Sequence, residues 1–352
     1  MIKKCVILLF IQISLQCSTP TFYNNIIRVN TGTEMFISGC MSPETLNFDG
    51  NIKEIAISDE NIFDLNEGAV QNISANEFAI YFHHTTIEII RRDAFLNLPG
   101  LVRVDMGRNK IRRIFENSFK DLPSLKLVGL YDNEIVDFWP RSFNNLPMLE
   151  EVVLSGNYLD SFDQAWFHKT PKLRKIYLGG NIMCDIPTLA FVNLPSVEFL
   201  DFHANQIEYV DKDAFKGLVN LETLLLNDNN LKSLEFNLPS PSKLTLVNID
   251  HNNLTYISDD MLERIRPTIK RFEMNGNPWT CACYDKLRSW GQNATITFKA
   301  VEAGKANVTC INPKTNPNEC IQRGDDDFEH EFWTPFLNKN LIRKERLEEC
   351  HV

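Results

Sequence analysis

Residues 101–124 read LVRVDMGRNKIRRIFENSFKDLPS, and residues 125–148 read LKLVGLYDNEIVDFWPRSFNNLPM. Set one above the other, they agree in type at every structural position. Leu101 matches Leu125, Val104 matches Val128, Met106 matches Leu130 and Asn109 matches Asn133. Ile111 matches Ile135, Ile114 matches Phe138, Phe119 matches Phe143 and Pro123 matches Pro147, always 24 residues on. Leu149, Val152, Leu154, Asn157, Leu159 and Phe162 repeat the frame. Working outward, Asn109, Asn133, Asn157, Asn181, Asn205 and Asn229 form one ladder of period 24, continued by Asn252 and Asn277 at steps of 23 and 25. Phe95, Phe119, Phe143, Phe167, Phe191 and Phe215 form a second, and Pro99, Pro123, Pro147, Pro171 and Pro195 a third. Two looser units come first. One holds Ile52, Ile55, Ile57 and Ile62 with Glu60 in the Asn slot; the next holds Ile80, Phe82, Ile87 and Ile90 with Thr85 there. Leu244, Val247 and Ile249 mark the ninth unit, and Ile269, Phe272 and Met274 open the tenth.

A fixed period of this length means one supersecondary unit stacked many times. The alternating apolar pairs suit a short strand with one face inward. No single coil can bury that face, so stacking must supply the core. The frame L-x-x-L-x-L-x-x-N resembles the leucine-rich repeat. The resemblance implies an α/β fold, a curved horseshoe solenoid with a parallel concave sheet. It also implies that each Asn bonds backbone groups of adjacent coils, meeting the demand of buried polar groups. The Phe ladder is expected inside the convex side. Ten strands at roughly 4.8 Å each give a concave face on the order of 45 Å long.

Lys3 and Lys4 precede an apolar run, Cys5 to Ile13, too short to span a membrane, so residues 1–17 read as a signal peptide cleaved after Cys17. The chain's 352 residues then divide into an N-terminal cap over 18–51, repeats over 52–276, and a C-terminal cap with a short tail over 277–352. No later apolar run reaches transmembrane length, and the C-terminus lacks the apolar tail of a lipid anchor. Four glycosylation sequons begin at Asn72, Asn253, Asn293 and Asn307, in keeping with export. The net charge of −10 argues against a nucleic-acid partner, which needs a basic face. An oxidising compartment favours disulfides over zinc at the clustered cysteines. We expect no metal and no cofactor.

From Asn277 onward, Pro278, Trp279, Cys281, Cys283, Leu287, Trp290, Cys310 and Cys320 resemble the C-terminal cysteine cap of extracellular leucine-rich repeats. Spacing alone does not choose the connectivity; the resemblance implies Cys281–Cys310 and Cys283–Cys320. Many such proteins also carry a cysteine-rich N-terminal cap, whereas only Cys40 is available here, so we expect a hairpin around Phe36 to Phe48 to cover that end. Of the nine cysteines, Cys5 and Cys17 leave with the signal, which makes an odd remainder of seven. Cys184 reads as a buried convex-side residue. Cys350, after a charged helical stretch, admits an interchain disulfide, a bridge to Cys40, or a tail thiol. Taken whole, the chain resembles the leucine-rich immune molecules of mosquitoes, in the form without a long coiled coil. That implies a humoral innate-immune role, binding complement-like proteins or pathogen surfaces.

Function is sought on the concave face. The middle position of each strand gives Ala56, Tyr81, Asp105, Gly129, Val153, Tyr177, Asp201, Leu225, Asn248 and Glu273. Flanking columns add His83, His84, Arg108, Tyr131, Asp132, Phe199, His203, Asp228, Asp250 and His251. Aromatic side chains beside charge are what protein recognition uses. The best patch is Tyr177, Phe199, Asp201, His203 and Leu225, with Tyr131 as a further contact. A developmental or matrix adhesion ligand is the alternative reading, with Arg323-Gly324-Asp325 as an integrin-type tripeptide or simply part of an acidic loop. A hydrolase is disfavoured: His83, His84 and His203 have Asp and Tyr nearby, but no nucleophile motif accompanies them.

Overall fold

The computed structural model describes residues 19–293 apart from 31 and 49, together with 296, 310–311, 313 and 316–322. A two-stranded hairpin, β1 (Phe22–Val29) and β2 (Thr33–Gly39), opens the chain. A short helix follows, α1 (Pro43–Leu46). Ten strands then come one per coil: β3 (Glu54–Ser58), β4 (Phe78–His83), β5 (Leu101–Asp105), β6 (Leu127–Gly129), β7 (Glu151–Val153), β8 (Lys175–Tyr177), β9 (Phe199–Asp201), β10 (Thr223–Leu225), β11 (Leu246–Asn248) and β12 (Arg271–Glu273). They form one sheet in chain order, parallel from β3 to β12, with β1 antiparallel to β3 and β2 at the outer edge. The protein is therefore a solenoid with ten stacked coil strands, and its core is a single strip of apolar side chains.

The Asn ladder works as bookkeeping for the backbone. Asn157 donates from Nδ2 to the carbonyls of Leu130 and Leu154, at 3.0 and 2.9 Å, and its Oδ1 accepts from the Ile135 N–H at 3.0 Å. Asn133, Asn181, Asn205 and Asn229 repeat this pattern coil after coil. Each amide thus ties two strand ends and one descending segment together, where water cannot reach.

The two units without Asn show what the slot requires. Thr85 is buried and gives its hydroxyl to Asn109 Oδ1 at 2.6 Å, so it continues the ladder. Glu60 faces the hairpin instead: its carboxylate accepts from Asn25 Nδ2 at 2.9 Å and the Ile26 N–H at 3.1 Å. At the end of the solenoid there is no preceding coil to bond, and a longer acidic side chain reaches the cap.

The residue before every slot lies in the left-handed region. From Asp59, His84 and Arg108 through Asp132, Gly156, Gly180, Ala204 and Asp228 to His251 and Gly276, φ lies between 52° and 71°. The sharp turn off each strand is made there, one residue before the Asn that bonds it. Asp, His and Gly are enriched because they tolerate that conformation better than most residues.

On the convex side the Phe ladder is buried and stacked. Phe95, Phe119, Phe143 and Phe167 follow one another with centroids 5.3, 5.4 and 5.1 Å apart. The stack then shifts to Phe162, which lies 4.6 Å from Phe191, beside a short 3-10 turn, Gln164–Trp166.

Both ends are sealed. The N-terminal hairpin lies earlier than the sequence suggested, at 22–39, and the 36–48 stretch contributes only the end of β2 and the turn of α1. The pairing of β1 with the first coil strand fixes this arrangement. At the other end, α2 (Asp259–Ile265) fills the convex side of the last coil, and α3 (Cys281–Asn293) covers the core. Trp279 is buried and donates from Nε1 to the Met274 carbonyl at 2.8 Å. Trp290 packs edge-on against Phe272 of the last strand. Disulfides join Cys281 to Cys310 and Cys283 to Cys320, the pairs that the cap resemblance implies. Cys40 and Cys184 are disulfide-bonded as well, so Cys184 is not simply a buried thiol. The signal segment, Asn307, the Arg323-Gly324-Asp325 tripeptide and Cys350 lie outside the described residues.

Candidate functional site

Register across the sheet makes the concave face a grid. One row runs Arg28, Ala56, Tyr81, Asp105, Gly129, Val153, Tyr177, Asp201, Leu225, Asn248 and Glu273, each directly opposite the next. The row is not uniformly exposed. Asp105, Asp201 and Glu273 are buried, and each has a basic neighbour lying over it.

The expected patch is contiguous. Phe199 and Asp201 belong to β9, Tyr177 lies opposite Asp201 on β8, and Leu225 lies opposite it on β10. The Tyr177 and Phe199 rings sit 4.9 Å apart, and both stay partly exposed, as does Leu225. Asp201 is only 6% exposed and lies beneath His203. Its Oδ1 accepts from the His203 ring at 2.7 Å and from the His203 N–H at 3.0 Å. This hydrogen bond, helped by the charges of Asp201 and Asp228, raises the His203 pKa above its ordinary value against the opposing effect of burial. The His203 ring lies over Gly179, where any Cβ would collide with it. The absence of a side chain at Gly179 therefore leaves the imidazole its place. Burial, with the charges of Glu151 and Asp201, raises the Tyr177 phenol pKa and keeps it neutral.

Tyr131 does not join this patch. It belongs to a second cluster near the N-terminal end, which the sequence reading did not single out. There Asp105 is bonded by Arg103 at 2.7 Å and by His83 Nε2 at 3.2 Å, and the Gly107 N–H points at it from 3.3 Å. Burial pushes the Asp105 carboxyl up, but these bonds outweigh it and hold the pKa below the usual carboxylate range. Tyr131 covers Gly107, and burial together with the Asp105 charge raises its pKa. Arg103 sits 5.7 Å over the Tyr81 ring. The signal in the sequence was Arg two residues before Asp, with Tyr81 directly opposite the Asp and His83 two residues further along the same strand.

The ring nitrogens of His83 and His203 bond carboxylates, and no hydroxyl or thiol bonds either ring among the described residues. Among those residues no group of three or more His, Cys, Asp or Glu side chains is gathered for a metal ion, and no helix is long and apolar enough to cross a membrane. Of the sequons, Asn72 is partly exposed with Ser74 at the surface, whereas Asn253 and Thr255 are both buried. Asn293 ends α3, and its side chain lies outside the description.

A leucine-rich-repeat family model matches residues 80–135, 125–183 and 184–231. Mimecan of Gallus gallus is 37% identical over 87 residues, 22% of this chain and 29% of that protein. Epiphycan of the same species is 39% identical over 64 residues, 18% of this chain and 19% of its own length. Leucine-rich repeat-containing protein 3 of Danio rerio is 30% identical over 98 residues, 28% and 27% of the two chains. The chain thus spans less than a third of these curated relatives. Among solved structures, the mouse RP105/MD-1 complex matches with a TM-score of 0.59 at 21% identity, over 70% of this chain and 42% of that one. That likeness is one of fold.

Proposed function

On the premise that this chain is a leucine-rich-repeat protein, we propose that it is a secreted, non-enzymatic scaffold that binds a protein partner on its concave sheet. The observation that carries this reading is the Tyr177–Phe199–Leu225 patch. It presents two touching aromatic rings and an aliphatic side chain, partly exposed, beside an imidazole locked by a buried carboxylate. Rigid aromatics next to a fixed polar group lose little freedom on binding and dominate interface energetics. Export is supported by the disulfides of the cap and by the signal-like leader. The fold likeness to a structure solved as a two-protein complex agrees with partner binding.

The finer reading is humoral innate immunity, with a complement-like protein or a pathogen surface as partner. It rests on the combination of leader, repeats and cysteine cap. A rise in abundance in body fluid on infection supports it, whereas stable binding to receptors on uninfected tissue favours the adhesion alternative. Cys350 as an interchain bond, with a disulfide-linked dimer, is tested on a non-reducing gel: a monomer unchanged by Cys350→Ser ends that idea. The binding surface is tested by photo-crosslinking from a probe at Leu225 and, separately, at Val219, exposed in the turn outside the sheet. Partner capture from Leu225 and none from Val219 is expected; the reverse pattern moves the site.

A further inference from the structure

The N-terminal end of the concave face holds a second set of features, independent of the patch above. In the hairpin, Ile26 of β1 lies opposite Phe36 of β2, and they are 40% and 64% exposed. Arg28 of the same strand lies opposite Ala56 in the concave row, and alternate residues share a face, so Ile26 and Phe36 open onto the concave side. From β1, three strand steps lead through β3 and β4 to Arg103 on β5. Arg103 lies over the Tyr81 ring at 5.7 Å and donates to Asp105 at 2.7 Å, and its Nε is buried without a hydrogen-bond partner. Asp105 is 4% exposed at its side chain while Arg103 is 42% exposed, so the pair shows its positive member to solvent. His83 and Tyr131 hem in the same carboxylate and leave the guanidinium as the outermost charge.

An arginine already immobilised on a ring gives up little freedom when it takes a carboxylate in its remaining fork. The Arg103 guanidinium reaches the Asp105 row, which is also the row of Arg28, and Ile26 lies two residues along the strand from it. Three strand steps at about 4.8 Å with that offset span roughly 16 Å, which an extended peptide, rising about 3.3 Å per residue, covers in about four to five residues. We propose that this end of the concave face recognises an extended segment of a partner protein. A large apolar side chain seats on Phe36 and Ile26, and an Asp or Glu about four residues away pairs with Arg103.

The test uses the full secreted protein and a fluorescein-labelled peptide, with Leu at its centre and Glu four residues to either side in a Ser/Thr background. The symmetric design serves both chain directions. Saturable binding is expected, weakened about tenfold or more by replacing both Glu with Gln. Arg103→Met and Phe36→Ser should weaken it by a similar factor, whereas Tyr177→Ala should leave it unchanged. Arg103→Lys keeps the charge and loses the fork, and it serves if the Met variant fails to fold. Lack of saturable binding at millimolar peptide overturns the assignment. So does equal affinity for the Gln peptide, full binding by folded Arg103→Lys and Phe36→Ser, or equal competition by a sulfated oligosaccharide. Because Tyr177 lies outside the site, failure here leaves the patch on β8 to β10 to be judged on its own test.

Discussion

Consider Asn181→Ala, a truncation in the middle of the ladder. Asn181 donates to the carbonyls of Leu154 and Leu178 at 3.1 and 2.9 Å and accepts from the Leu159 N–H at 3.0 Å. The residue is buried, and so are the three groups it serves. Truncation removes three hydrogen bonds worth about 1 kcal/mol each and strands the Leu159 N–H, which costs a further 1–3 kcal/mol or so if no water enters. The expected loss is about 4–6 kcal/mol, against a total stability of about 5–15 kcal/mol for an ordinary domain. Urea unfolding followed by far-ultraviolet circular dichroism reads this as a lower midpoint. Since each coil contacts only its neighbours, a shallower transition is expected as the array splits at that coil. Asn220→Ala is the control: Asn220 also bonds a carbonyl of the preceding coil, that of Pro195 at 2.8 Å, but at the exposed surface, and its loss should cost under about 1 kcal/mol. Equal costs for the two variants would refute the claim that the ladder works through buried backbone groups.

The His203 ring, followed by NMR, should titrate above its ordinary value of about 6.5. A pKa raised in the folded state means that its stabilising contribution is complete below that ordinary value and is lost as the pH rises through the folded one. Gly179→Ala should push the ring off Asp201 and return its titration toward the ordinary value, with little effect on unfolding; an unmoved titration would show that the packing over Gly179 does not hold the pair. Cys283→Ser opens a disulfide spanning 37 residues and should cost about 2–4 kcal/mol, seen as early proteolysis of the cap before the repeats are cut. Asn72 should carry glycan on intact-mass analysis of the secreted protein, and Asn253 should not, since both it and Thr255 are buried.

What was legible in the sequence is what repeats. The Asn and Phe ladders fixed strand positions, the parallel sheet and the core, because each coil meets the same environment as its neighbours. The ends were harder to read, since a cap faces no repeat: Glu60 looked like a degenerate Asn and proves to be the anchor of the hairpin. Exposure on the concave face was also misjudged at particular positions. Alternation placed Asp201 outward, but it cannot show that the side chain of His203, two residues on, folds back over it. Tyr131 was taken as a further contact of the Tyr177 patch, whereas its ring lies over Gly107 beside Asp105. Arg103 was passed over although it shares the column of Phe199, because nothing in the sequence shows that its side chain lies over a ring of the preceding strand.

The central claim is that partner binding resides on the β8 to β10 patch. The most direct measurement is the affinity of a partner, co-purified from the native fluid on the wild-type protein, for the Tyr177→Ala/Phe199→Ala double variant. The account predicts binding weaker by about thirtyfold or more with an unchanged urea midpoint, since both rings are partly exposed and outside the core. Undiminished affinity in a folded double variant would contradict it.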